Sequence, residues 1–149
     1  MRRVMSLALL VAVAATLIVP AGASAGSASR QVLKRVNKIR KRHGLPKLHL
    51  SHSLERSAHK YSRYQMRHGY FGHASHIRAS GRYRTLGEII EMHRGYKANV
   101  RASVYNWMHS SSHRAIILSR SFRFAGAGRA AGRFHGTRTT IWTMQFGHR

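Results

Sequence analysis

Cysteine and aspartate are both absent from the 149 residues, and glutamate occurs at only three positions, Glu55, Glu88 and Glu91. Proline occurs only at Pro20 and Pro46. Without cysteine there is no disulfide framework, so packing alone must hold the fold. The scarcity of acids stands against 27 lysines and arginines, a formal net charge of +24 with histidine neutral. Long apolar runs are also missing beyond residue 19, so no later segment is suited to span a bilayer.

The one apolar stretch, Leu7 to Val19, follows Arg2 and Arg3 and is shorter than a spanning helix requires. Pro20 and Gly22 interrupt it, and the small residues Ala21-Gly22-Ala23 or Ala23-Ser24-Ala25 offer two cleavage registers. Residues 1–25 are expected to be a cleaved signal peptide, with the cut after Ala25 favoured and 26–149 left as a single domain. That cut removes only two cations and no acid, leaving a formal charge of +22. The expected localisation is secreted or extracytoplasmic, with association to the cell wall.

Like charges at this density repel one another and attract anionic surfaces. For an exported chain the expected partners are anionic cell-envelope polymers or lipid head groups. Nucleic acid would bind only non-specifically, for the same electrostatic reason. The cations recur from Arg30 to Arg149 and are not interleaved into a recognisable nucleic-acid reading module.

Gly26 to Ser29 reads as a short polar lead-in. Val32, Leu33, Val36 and Ile39 then recur at helical spacing, and Gly44 and Pro46 place the end near His43. A second helix is expected from about Ser53 to His68, with Leu54, Ala58, Tyr61, Gln65 and Met66 on one face and Gly69 at its end. A long polar loop follows to Thr85, and Leu86 to Ile90 reads as a brief apolar insert holding an acid. Asn99 is placed to cap a third helix with Val100, Val104, Trp107 and Met108 on one face. Phe122, Phe124 and Gly126 alternate as a strand does, residues 129–138 read as a basic turn, and Thr139 to Phe146 as a final strand. Trp107, Trp142, Phe122 and Phe146 are expected in the core. Helices with an antiparallel pair packed against them make an α/β layered domain.

Among twelve histidines, His43, His49, His52, His59, His68 and His76 lie in polar surroundings and read as solvated. His73 follows an aromatic pair past a helix end, and His113 opens an apolar turn. Glu55 suits the dipole at the start of its helix, and Glu91 has local cations beside it. Glu88 lies between Leu86 and Ile89-Ile90, where a buried charge needs a partner. His73, Glu88 and His113 converging in a cleft would suit a divalent ion such as zinc; their spacing forms no compact metal motif.

Val36-Asn37-Lys38-Ile39-Arg40 followed by Gly44-Leu45 and Leu48, the Leu54 to Ala58 helix with Met66, and Tyr70-Phe71-Gly72-His73 stand in the order found in a known family. So do Gly87-Glu88-Ile89-Ile90, Trp107-Met108-His109-Ser110 with His113-Arg114-Ala115-Ile116-Ile117-Leu118, and the closing Gly126-Ala127-Gly128 and Trp142 to Gly147. The chain resembles bacterial members of the CAP superfamily (cysteine-rich secretory protein, antigen 5, pathogenesis-related 1; the SCP domain) from about Val32 to Gly147. The resemblance implies a three-layer α-β-α sandwich with a small antiparallel central sheet. It also implies a cleft able to hold a divalent metal at His73, Glu88 and His113. Two departures concern that cleft: Ser110 replaces a glutamate common in animal and plant relatives, and Ile89 replaces the asparagine after the cleft glutamate. Ile89 can neither donate nor accept a side-chain hydrogen bond, which predicts a loosely held or merely structural Glu88. Met144 also departs from the bacterial pattern.

Fold alone does not fix function. The favoured expectation is a non-enzymatic envelope-binding or interaction module, with a lipid or peptide ligand among the implied partners. The alternative is a metal-assisted extracellular hydrolase, peptidase or esterase, using zinc on His73 and His113 with Glu88 as ligand or base. No catalytic nucleophile is identified; Ser110 to Ser112 read as a loop.

Overall fold

A computed structural model describes residues 21–149, with side chains from Gly26 onward. The apolar stretch of the expected signal peptide lies outside the described residues. Four helices, α1 (Ala21–Arg42), α2 (His52–His68), α3 (Val100–His109) and α4 (Ser111–Ile117), accompany four strands, β1 (His49–Leu50), β2 (Thr85–Arg94), β3 (Phe124–Phe134) and β4 (Thr137–His148). The strands form one sheet in the order β1-β3-β4-β2. Its pairings are antiparallel, as expected, apart from a short parallel contact of β1 with β3 at one edge.

Alternation along the strands divides the molecule into layers. On one face Ile89, Ala125, Ala127, Trp142, Met144 and Phe146 meet Val32, Leu33 and Val36 of α1, Val100, Val104 and Trp107 of α3, and Ile117 of α4. Both tryptophans are buried with their indole N–H satisfied, Trp107 by the Ile90 carbonyl and Trp142 by that of Ala98. Phe122 and Phe146 are buried as expected. Met144, a departure by sequence, is a fully buried core residue.

The opposite face carries α2. Ser51 caps it by accepting the Leu54 N–H, and Gly69 ends it in the left-handed region. This face is polar where helix and sheet touch. Ser62 Oγ lies 3.2 Å from the Gly128 carbonyl oxygen and 2.9 Å from Thr143 Oγ1, and Gln65 Nε2 also reaches Thr143. Gly126 and Gly128 let the helix lie directly on β3, because a Cβ at either would collide with the backbone nitrogen of Glu55 or His59.

Several local expectations change. Gly26 to Ser29 belongs to α1, with Ala28 and Ser29 buried, so the polar lead-in is helix. Leu86 to Ile90 lies in the first half of a ten-residue strand and is not an insert. Residues 129–134 extend β3, and the hairpin turns only at His135 and Gly136, both at positive φ. Asn99 precedes α3 in the left-handed region without a side-chain cap bond. Arg40 is fully buried; its guanidinium donates to the carbonyls of Pro46, Ile117, Ser119 and Phe122.

His59, expected to be solvated, is half-buried between α2 and β3. Its Nδ1 lies 3.2 Å from the Arg129 amide and its Nε2 3.4 Å from Ser29 Oγ. Burial pushes its pKa down, outweighing the upward pull of the Arg129 carbonyl and Glu55. The unfolded ring therefore takes up a proton at higher pH than the folded one. This contribution to stability is fully present above about pH 6.5, the ordinary imidazole value, and declines as pH falls through it. The melting temperature is expected to drop between pH 7.5 and 5, and His59→Gln to flatten part of that slope; an unchanged slope in the variant would contradict the assignment.

Candidate functional site

The period-two alternation of β2 sends its two glutamates to opposite faces. Glu88 pairs with Gln145 and lies on the α2 side; Glu91 pairs with Trp142 and lies on the α3 side. Both are buried, each with 8% of its surface exposed.

Glu88 is firmly held. Its Oε1 accepts the Ala74 N–H at 2.9 Å and faces His73 Nδ1 at 3.2 Å, and its Oε2 accepts from Gln145 Nε2 at 2.9 Å. The expectation of a loosely held Glu88 is therefore corrected. Ile89 points into the core on the other face, so its side chain does not share the glutamate's surroundings. His73 and His113 approach edge to face, ring centroids 6.2 Å apart. Burial lowers the His113 pKa, with the neighbouring His73 adding to the effect, which favours the neutral ring.

The three residues singled out by sequence are thus linked pairwise, His73 to Glu88 and His73 to His113. Among the described residues no group of three or more histidines or glutamates is arranged to hold a metal ion. The arrangement is a pair of neighbouring imidazoles with a carboxylate behind one of them. Ser110 Oγ contacts Ser112 Oγ at 3.2 Å and is not part of this cluster.

A cleft of about 800 Å³ opens between α2 and the loop after it, with His73 and Gln145 in its wall. The loop is anchored from α2: Tyr61 Oη donates to the Gly72 carbonyl at 2.7 Å and Gln65 Oε1 accepts the Gly72 N–H. Burial, and then the nearby Glu88 charge, push the Tyr61 phenol up to about 12, so it remains a neutral donor. Gln65 is read from the sequence only as part of the buried face of α2, and Gln145 only as part of the closing strand, although a glutamine two residues beyond Thr143 in a buried strand was the available signal for the latter.

Glu91 also gathers partners beyond local cations. Its carboxylate accepts from Ser103 Oγ at 2.9 Å and Asn106 Nδ2 at 3.4 Å, and lies 3.0 Å from His93 Nδ1. That cluster ties β2 to α3 on the face away from the cleft.

A mixed sheet between α2 and the layer of α1, α3 and α4, with a cleft beside α2 that His73 lines and Glu88 and His113 adjoin through His73, defines an α-β-α sandwich of the SCP type. The chain belongs to the cysteine-rich secretory protein family (CAP), whose sequence profile matches residues 33–146. Solved structures share the fold. An extracellular SCP-domain protein from Bacillus anthracis superposes with a TM-score of 0.72 at 20% identity, covering 91% of this chain and 45% of that protein. This chain therefore spans less than half of that relative. An outer surface protein from Borrelia burgdorferi gives 0.68 at 17% identity over 80% of this chain and 91% of its own. A cysteine-rich secretory protein from Staphylococcus aureus gives 0.58 at 16% identity over 84% and 39%. No curated protein sequence matches the chain significantly.

Proposed function

We infer that this protein is a secreted binding module of the cell envelope, using the α2 cleft as its recognition site and its cationic surface for retention. The signal-like N-terminus and the extracellular or surface placement of the Bacillus and Borrelia relatives favour export. The observation that carries the binding reading is the hydrogen bonding of Glu88. Ala74, His73 and Gln145 occupy both carboxylate oxygens, which suits a group that positions His73 better than a base that must accept a substrate proton.

A divalent ion would have His73 and His113 as its two donors, with Glu88 orienting His73 through Nδ1 as an outer partner does. When bound, such an ion supplies Lewis-acid polarisation of a ligand oxygen. His113 contributes a ring kept neutral by burial, the form that ligates.

Binding of the purified protein to an isolated cell-wall fraction is expected to saturate and to persist in His73→Ala and His113→Ala at physiological salt. Zinc titration is expected to show one site in the parent and none in the double variant. Hydrolysis of peptide or ester substrates that chelation abolishes and zinc restores would overturn the binding reading in favour of a metal-assisted hydrolase. Retention that vanishes entirely with modest added salt would reduce the interaction to charge alone.

A further inference from the structure

We propose that the α2 cleft takes an acidic saccharide, a chain of sugar rings bearing carboxylate or phosphate groups. This rests on the binding reading above and names its ligand class. Three observations converge on it.

The first is a prepared aromatic platform. Tyr64 is 45% exposed, its ring nearly parallel to Tyr61 (centroids 6.1 Å, 11° between planes) and stacked on His68 at 4.1 Å. Tyr70, 48% exposed, lines the same cleft. Tyrosine offers a rigid, amphipathic face with little conformational freedom to lose, which suits a ring that is apolar on its faces and polar at its edge.

The second is unopposed positive charge. Lys60, Arg67 and Arg78 line the cleft. All three ion pairs among the described residues involve histidine, so no carboxylate neutralises these cations. Guanidinium forks match the oxygens of carboxylate and phosphate alike.

The third is an unsatisfied acceptor. Gln145 is 1% exposed, borders the cleft and donates through Nε2 to Glu88, while its Oε1 has no hydrogen-bond partner among the described residues. A buried acceptor of this kind calls for a donor, and a sugar hydroxyl is one. The lining argues against an acyl chain: Ala74 is its only aliphatic side chain.

Calorimetry at physiological salt with four probes separates these features: hexagalacturonate, a phosphomannan oligosaccharide, neutral maltohexaose, and polyphosphate matched in charge to the hexagalacturonate. At least one acidic saccharide is expected to bind saturably and at least tenfold more tightly than maltohexaose or polyphosphate. The better of the two identifies carboxylate or phosphate as the recognised group. Tyr64→Ala and Arg67→Ala are each expected to weaken it about tenfold, the scale of an aromatic or arginine anchor. Arg101→Ala, outside the cleft, is expected to leave it unchanged. Polyphosphate binding as tightly as the saccharides, or Tyr64→Ala binding like the parent, would overturn the proposal. So would binding to phosphatidylglycerol vesicles, titrated as a fifth probe, with none to either acidic saccharide. If the parent and both cleft variants hold equally well to the wall fraction, the saccharide site and the cleft's part in recognition fail while envelope retention by the cationic surface survives. A parent that does not hold to the wall defeats that broader reading.

Discussion

Gly128→Ala is expected to destabilise the domain by about 3 kcal/mol or more, a large share of the ~5–15 kcal/mol typical of a domain. The added methyl would collide with the backbone of Ala58 and His59, where no rotamer change can relieve it. Retreat of α2 would also pull Ser62 from the Gly128 carbonyl and Thr143, leaving buried polar groups unpaired. Gly132→Ala is the matched control: its methyl meets only the flexible Met66 side chain, at 3.1 Å, and should cost less than about 1 kcal/mol. Urea unfolding of the two variants checks the pair, and equal midpoints would refute close helix–strand approach as the cause.

Arg40→Met is expected to cost a similar amount, about 3 kcal/mol or more. The methionine keeps most of the buried stem but removes every donor that Arg40 offers to the carbonyls of Pro46, Ile117, Ser119 and Phe122. The Ile117 carbonyl is reached by a buried bond, and an orphaned buried acceptor carries the full desolvation penalty; the Phe122 carbonyl keeps a bond from Arg123. Arg40→Lys should rescue little, since one ammonium lacks the planar fork that reaches carbonyls in three directions. Faster amide exchange in residues 117–122 together with a lowered urea midpoint would mark the lost clamp. Arg40→Lys with parental stability would contradict it.

Neither effect is visible in the periodicity of the sequence. Arg40 is one cation in a basic helix, and only the tertiary fold places it under α4 and the segment before β3. Gly126 and Gly128 are legible as glycines of a strand, but the helix backbone they accommodate, at Glu55 and His59, is far away in sequence. The second and third helices were readable because apolar spacing and Gly69 mark them locally. The sheet was less so: β2 exposes both ends, and its middle residues mix isoleucines with two glutamates, which masks alternation. Residues 129–134 carry arginines and glycine, which resemble a turn until pairing with β4 extends them. At the site, His73, Glu88 and His113 could be singled out individually, and the contacts of His73 with the other two required the fold. Gln145 and the tyrosine platform were hidden because glutamine and tyrosine are common and carry no distinctive spacing.

The disposition of the acids has a consequence for how copies of this protein meet one another. Glu88 and Glu91 are turned into opposite sides of the sheet, and Glu55 is engaged by His52 at 3.2 Å. The outer surface therefore behaves like a one-component ion exchanger, with cations everywhere and almost no counter-charge of its own. Among the described residues the acids offer two copies almost no opposite charge to bring together, and the repulsion between their cations reaches about 8 Å at physiological ionic strength before salt screens it. Spread along an anionic polymer, such molecules would sit as separated beads, with the counter-ions supplied by the support and the spacing set by screening.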